Sequence, residues 1–379
     1  MIEIEERDIE IKAVEKNADS SFRIRPYRKL VQIGFLMLTL LIGAQFILFV
    51  GQLESGQIPN IPRPPGVEAF LPISALISLK YWILSGIYNT IHPASLTLLL
   101  IILATAFFLK KGFCSWVCPF GLLSEFLFSL RKFLSDRYLY LGRWLDYPLR
   151  SLKYLLLLFF LWAIFVQMNT GELRRFLYSP YNQVADIKML KFFSEISITT
   201  FWVLVILFLL SILIPYSWCR YLCPYGALLG ALSWLSPWKI HRDDATCIDC
   251  KKCTKACPAN IKVHKAGAVF SDECHACLQC VDACPVKDTV YISVTRKKFR
   301  LPRLAYAMLL VLLFLTGTTL ARWTGRWHSS ISIPQYQYHI MHLKDPQYHH
   351  NRGRVPDYEG SYELGADMKN IEGENRLSK

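Results

Sequence analysis

All twelve cysteines of this 379-residue chain fall into four groups, and none stands alone. Cys247, Cys250, Cys253 and Cys257 follow the spacing C-x2-C-x2-C-x3-C-P, and Cys274, Cys277, Cys280 and Cys284 repeat it. The remaining four form two C-x3-C-P pairs, Cys114/Cys118 in GFCSWVCPFG and Cys219/Cys223 in SWCRYLCPYG. Thiols at gaps of two and three residues read as metal ligands, which bind as thiolates and must be kept reduced. A disulfide framework belongs to small secreted chains, not to a long chain that is 53% apolar.

The tandem spacing has a mechanical reason. Three thiolates two residues apart wrap one face of an iron–sulfur cubane, and the fourth, ahead of a proline, reaches the neighbouring cluster. The expected ligand sets therefore cross. One [4Fe-4S] cluster takes Cys247, Cys250, Cys253 and Cys284; the other takes Cys274, Cys277, Cys280 and Cys257. Structural zinc ribbons use two separated cysteine pairs instead. Two adjacent cubanes imply one-electron transport. Lys251, Lys252, Lys255 and Lys262 surround the first set, as a docking surface for an acidic partner or as an ordinary solvated face. His275, inside the second motif, reads as an exposed spacer.

The Cys114, Cys118, Cys219 and Cys223 quartet is the redox or metal candidate that spacing alone leaves open. Helical C-x3-C places two sulfurs about one turn apart on one face. That suits a third cluster, a copper ion, or thiols that cycle with disulfides. The pairs repeat at an offset of 105 residues, the mark of an internal duplication of a span and its thiol turn.

The elements that must position these groups are membrane spans. Val31–Val50 is 20 residues without a charge, enough to cross ~30 Å of hydrocarbon at ~1.5 Å per residue. Similar runs lie near 94–109, 154–168, 201–216 and 304–320, which makes five. The segment 69–91 is long enough to span but carries Lys80 at its middle, where a charge costs ~2.5–3.5 kcal/mol. Reading it as an interfacial or re-entrant hairpin puts 29 of the 43 Lys and Arg on one side. That is the cytoplasmic bias of an inner-membrane protein, with the N-terminus and all twelve cysteines inside and the C-terminal tail outside. The first 20 residues are acidic and polar, with no signal-peptide pattern.

The expected fold is an all-α integral membrane bundle of about five transmembrane helices with an inserted α+β two-cluster bacterial-ferredoxin-like domain. Its parts are a cytoplasmic segment (1–30), a four-helix membrane domain with both thiol turns (31–240), the ferredoxin-like domain (241–300), a fifth helix (301–320) and a polar exterior tail (321–379). The net charge of +14 is accounted for by membrane topology, which leaves no case for nucleic acid.

With these motifs the chain resembles the membrane-bound polyferredoxins of the NapH/CcoG/NosR type. The resemblance covers about residues 31–320 and rests on the tandem ferredoxin motif together with two C-x3-C-P turns on membrane helices. It implies quinol-linked electron transfer toward a redox partner, reduction of cupric ion in oxidase assembly, or a membrane redox regulator or scaffold. The chain departs from each type. A span and tail follow the ferredoxin motifs, the 59 residues from Ala321 are short for a folded outer domain, and the first outer loop of 43 residues has no room for a flavin domain. An enzymatic role as a quinol-linked oxidoreductase or metal reductase stays open.

Two further groups are candidates for a quinone or proton site. His92 stands beside the proline-rich stretch 58–72, and an imidazole can accept a quinol proton. Glu125 lies seven residues past Cys118 on an apolar helix. The tail holds His328, His339, His342, His349, His350 and Met341, either a soft metal site or incidental histidines in a disordered polar tail.

Overall fold

The computed structural model of the chain describes residues 24–134, 142–294 and 299–348. It is mostly helical, with a small antiparallel sheet. Three helices are long and apolar enough to cross a membrane: Arg25–Glu54, Trp144–Gln167 and Arg303–Trp323. Ala185–Ser194 and Ile198–Leu213 qualify only together and are bent by 80°, which would make a fourth span. Pro93–Phe108 is apolar but has 16 residues, about 24 Å of helix against ~30 Å of hydrocarbon. Helices therefore stand at all five expected places, and three to four meet the length of a crossing. Their side chains face outward: Leu41 and Leu158 are each 63% exposed, a poor arrangement in water and the right one in lipid.

The chain divides into two compact units. The first comprises Met1–Leu40, Leu100–Phe159 and Ser197–Gly317 and carries every cysteine. Its sheet pairs β1 (Lys239–Arg242) with β2 (Ala268–Val269) and β3 (Val290–Ser293), in the order β2-β1-β3. Ile240 stands opposite both Val269 and Ile292, so the apolar centre of the central strand is covered on both edges. Each cysteine motif ends in a one-turn helix, Lys252–Lys255 and Gln279–Asp282. The thiol pairs lie in tight turns between longer helices: Gly112–Trp116 leads into Pro119–Leu134, and a π-turn at Trp218–Leu222 leads into Pro224–Leu235. Proline at the first helical position stops one element and starts the next without losing a needed N–H.

The second unit comprises Leu41–Leu99, Phe160–Ile196 and Thr318–Lys379. Phe46, Phe49, Val67, Val184, Tyr336 and Tyr348 pack its core. Here the tail departs from the expected disordered segment. Ser332 and Gln335 form a capping box that starts the helix Ile333–Met341, and Tyr336 on that helix is 2% exposed. His349 and His350 lie outside the described residues.

The 69–91 segment, expected as an interfacial or re-entrant hairpin, holds a single helix of ten residues or more. It is the 14-residue helix Pro72–Ser85, stopped by Gly86 at φ 71°. Lys80 is buried there because its ammonium donates to the carbonyls of Ile164 and Phe165 at 3.0 and 3.1 Å, and to that of Met168. Ile164 and Phe165 lie in the last turn of the Trp144–Gln167 helix and Met168 is its C-cap, so the charge is matched to the negative end of a helix.

Candidate iron–sulfur site

The eight cysteines of the two long motifs line two separate cavities. Cys247, Cys250, Cys253 and Cys284 share one. Cys257, Cys274, Cys277 and Cys280 share the other. The fourth cysteine of each motif thus faces the cavity of the other. Pro258 and Ala259 line the second cavity beside Cys257, the backbone turn that carries this exchange.

The backbone around both cavities follows one plan. Asp249 and Lys251 in the first motif have φ 50° and 60°, and Ala276 and Leu278 at the matching places have φ 48° and 59°. A left-handed residue with a Cβ costs ~1–2 kcal/mol. Four at matched positions signal a demand that outweighs this cost. Alternation of right- and left-handed residues gathers successive N–H groups into a concave nest suited to an anionic iron–sulfur centre. None of the four is a glycine, so nothing in their identity marks them in the sequence.

The cavities differ in charge and surroundings. Arg242 and Lys251 line the first, whereas no acidic or basic residue other than His275 lines the second. His275 is not an exposed spacer. It is 7% exposed, and its ring lies 5.8 Å from that of Tyr216. Burial, reinforced by nearby Lys111, Lys153, Arg220 and Arg28, holds its pKa well below the usual imidazole value, so it is neutral. Two residues per motif do not reveal that a distant segment covers the loop.

The two thiol turns come together. Phe113 and Tyr225 meet edge to face at 6.4 Å, and Ser124 Oγ lies 3.9 Å from Cys219 Sγ. Cys223 caps its own helix, its sulfur accepting from the Gly226 N–H at 3.2 Å. Of the glycines in the two C-P-x-G sequences, only Gly121 is a close approach. A Cβ on Gly121 would stand 1.9 Å from the Cys114 carbonyl oxygen, and one on Gly226 would stand 3.4 Å from that of Cys219. Burial pushes the Cys114 thiol well up, against the pull of Lys111, and pushes Cys219 up to about 12. Without a metal these are neutral thiols.

Both turns also hold the loop around the second cavity. Trp116 Nε1 donates to Ala276 O at 3.1 Å and Ser115 Oγ to His275 O at 2.6 Å. Lys110 Nζ reaches Val269 O at 2.6 Å, and Arg220 reaches Ala259 O at 3.1 Å. Lys153 pairs with Glu273 at 2.5 Å, just ahead of Cys274. Asp282, in the second motif, accepts from the Ile24 and Arg25 N–H groups that open the first membrane helix.

Glu125 belongs to this same face. It is paired with Arg28 and takes further hydrogen bonds from Gln32 at 3.0 Å and Gln279 at 3.2 Å. His92 lies in the second unit, fully buried. Its Nε2 faces the Asn182 carbonyl at 2.6 Å and its Nδ1 lies 3.5 Å from Glu68, which with Asp186 flanks Arg63. Among the tail histidines, His339 is buried between Tyr348 OH at 2.6 Å and Gln183 at 2.8 Å. Among the described residues, no three His, Cys, Asp or Glu are arranged to hold a single metal ion.

The comparisons agree with this geometry. A 4Fe-4S binding domain family matches residues 91–137 and again 197–243, one thiol turn in each. A 4Fe-4S dicluster domain family matches 239–285. YccM of Escherichia coli K12, a protein named for electron transport, is 38% identical over 317 residues, 82% of this chain and 88% of its own length. The ferredoxin-type protein NapH of Haemophilus influenzae is 31% identical over 49% of this chain and 64% of its own. The regulatory protein NosR of Pseudomonas aeruginosa is 28% identical over 50% of this chain but only 26% of its own. No solved structure matches. Cysteines grouped around two cavities and a paired thiol turn on apolar helices fit iron–sulfur centres, and this chain belongs to the membrane-bound polyferredoxins, a family of iron–sulfur electron-transport proteins.

Proposed function

We propose that the chain is an inner-membrane electron conduit with three iron–sulfur sites in series. Cys247, Cys250, Cys253 and Cys284 hold one [4Fe-4S] cluster, and Cys274, Cys277, Cys280 and Cys257 hold the second. Cys114, Cys118, Cys219 and Cys223 hold a third at the membrane face. When bound, such clusters supply one-electron redox chemistry. The observation that carries the order of the sites is the set of bonds from both thiol turns to the second cavity's loop, through Trp116, Ser115 and Arg220. The second site stands between the first and the quartet.

The residues of the chain do the positioning. Left-handed turns at Lys251 and Leu278 shape the loops that carry the cysteines, and Trp116 keeps the quartet and the second motif in fixed register. Buried His275 and Tyr216 exclude water between them. A cluster is favoured over copper at the quartet because its two halves each match a 4Fe-4S binding family.

Five crossings, with the N-terminal segment 1–30 and the ferredoxin-like domain 241–300 on the cytoplasmic side, follow from the charge bias. On this reading the membrane-side partner is the quinone pool or a protein redox partner. His92 is the candidate proton acceptor, since it shares a buried pocket of ionisable groups with Glu68, Arg63 and Asp186. Paramagnetic resonance of the dithionite-reduced protein tests the series. Signals of neighbouring clusters that broaden one another, and that simplify in Cys257→Ser, are expected. A single isolated signal, unchanged by that substitution, would defeat the proposal.

A further inference from the structure

The two cysteine motifs share one backbone plan but not one charge. From Lys251 to Lys265 the first motif has five lysines in fifteen residues and neither Asp nor Glu. The matching stretch of the second, Leu278 to Ile292, has one lysine and two aspartates. One of those, Asp282, is taken up by the Ile24 and Arg25 N–H groups and by Arg303. The second motif is turned into the protein. The first is turned out: Lys251, Lys255, Lys262 and Lys265 are exposed.

These four lysines sit on two neighbouring elements that both wall the first cavity. Lys251 lines the cavity and opens the helix Lys252–Lys255. Lys262 and Lys265 flank His264, which also lines the cavity and bonds Thr254 on that helix at 2.8 Å. Among the described residues none of the four makes an ion pair. Membrane topology asks for basic loops on one side, but it does not ask for the charge to be sorted onto one of two duplicate motifs.

We propose that this basic face is the docking surface for an acidic, soluble one-electron carrier protein, which meets the chain at the Cys247/Cys250/Cys253/Cys284 site. The exchange is one electron across the contact, the carrier being oxidised as the site is reduced, with no bond made or broken. The inference rests on the proposed cluster at that site and adds its partner. Steering by opposite charge raises encounter rates and fades with salt.

The test uses the full-length protein in detergent and oxidised flavodoxin, an acidic FMN protein, as the probe. Binding is followed by the flavin signal at low and high ionic strength. Lys255→Glu/Lys262→Glu/Lys265→Glu is compared with the three corresponding glutamine substitutions and with Lys344→Glu as a remote charge control. Iron and sulfide per chain, measured on every variant, separate loss of the cluster from loss of docking. Affinity falling at least about tenfold in both three-site variants, with a weaker salt dependence and unchanged iron, is the expected result. Binding that is unaffected, or reduced equally by Lys344→Glu, would overturn the proposal. So would vesicles of anionic phospholipid that displace the probe completely, since the surface would then belong to the membrane.

Discussion

The indole of Trp116, between Cys114 and Cys118, donates to the carbonyl of Ala276, between Cys274 and Cys277, at 3.1 Å. This one bond ties the first thiol turn to the second ferredoxin motif across 160 residues of chain. Trp116 is fully buried, so the carbonyl has no water to replace it. Trp116→Phe should leave an unmet buried acceptor, worth about 1–3 kcal/mol, and a small void. Hydrogen exchange in residues 274–280 should speed up in that variant, and the thermal midpoint should fall. Exchange unchanged from the wild type would mean that the tie carries no load.

The two glycines of the thiol turns should not respond alike. A Cβ at Gly121 would overlap the Cys114 carbonyl at 1.9 Å, where backbone must move, whereas Gly226 leaves 3.4 Å. Gly121→Ala should distort the first turn at a cost of roughly 1–3 kcal/mol or more and lower the metal content. Gly226→Ala should be nearly silent. Iron counts on the two purified variants check this, and equal losses would count against the close approach.

Glu125 is predicted to be structural. Arg28 is 1% exposed and depends on it, so Glu125→Gln should strand a buried charge and cost about 3–5 kcal/mol. A carboxylate that only shuttled protons would behave otherwise. Turnover would fall while the unfolding midpoint in urea stayed at the wild-type value.

The tail gives a pH dependence with a definite sign. Burial, with a smaller push from His342, lowers His339 from 6.5 to about 4. Between those values the unfolded chain binds the proton and the folded chain does not, so stability rises with pH there. The docking of the Ile333–Met341 helix should be fully present above about pH 6.5 and weaken progressively as the pH falls toward 4. Protease access to the tail, measured across that range, should follow the same curve. His339→Gln, which keeps a neutral hydrogen-bonding group, should flatten it.

Much of the site is legible in the residues, and the remainder is not for identifiable reasons. Which four cysteines share a cavity follows from the spacing, because two-residue gaps and the C-P exit fix how far each sulfur reaches. The duplication of the thiol turn is visible as an offset of identical residues. The left-handed turns are not, since they fall on Asp249, Lys251, Ala276 and Leu278, where glycine would have been the signal. Lys80 looks out of place in an apolar helix because its three carbonyl partners lie more than eighty residues away. His275 reads as exposed because the segments that bury it come from elsewhere in the chain. The span count suffers differently. Hydropathy marks five apolar runs, but whether a 16-residue helix or a pair bent by 80° completes a crossing depends on packing that hydropathy does not record.

The central claim is three iron–sulfur sites in series, and the most direct measurement is iron and acid-labile sulfide per chain after anaerobic purification in detergent. It should be repeated, with copper, on Cys114→Ser and Cys219→Ser. The account predicts about twelve irons in the wild type, falling toward about eight in either variant while the sites at Cys250 and Cys277 stay loaded. About eight irons in all three proteins, with copper lost in the variants, would contradict it and make the quartet a copper site.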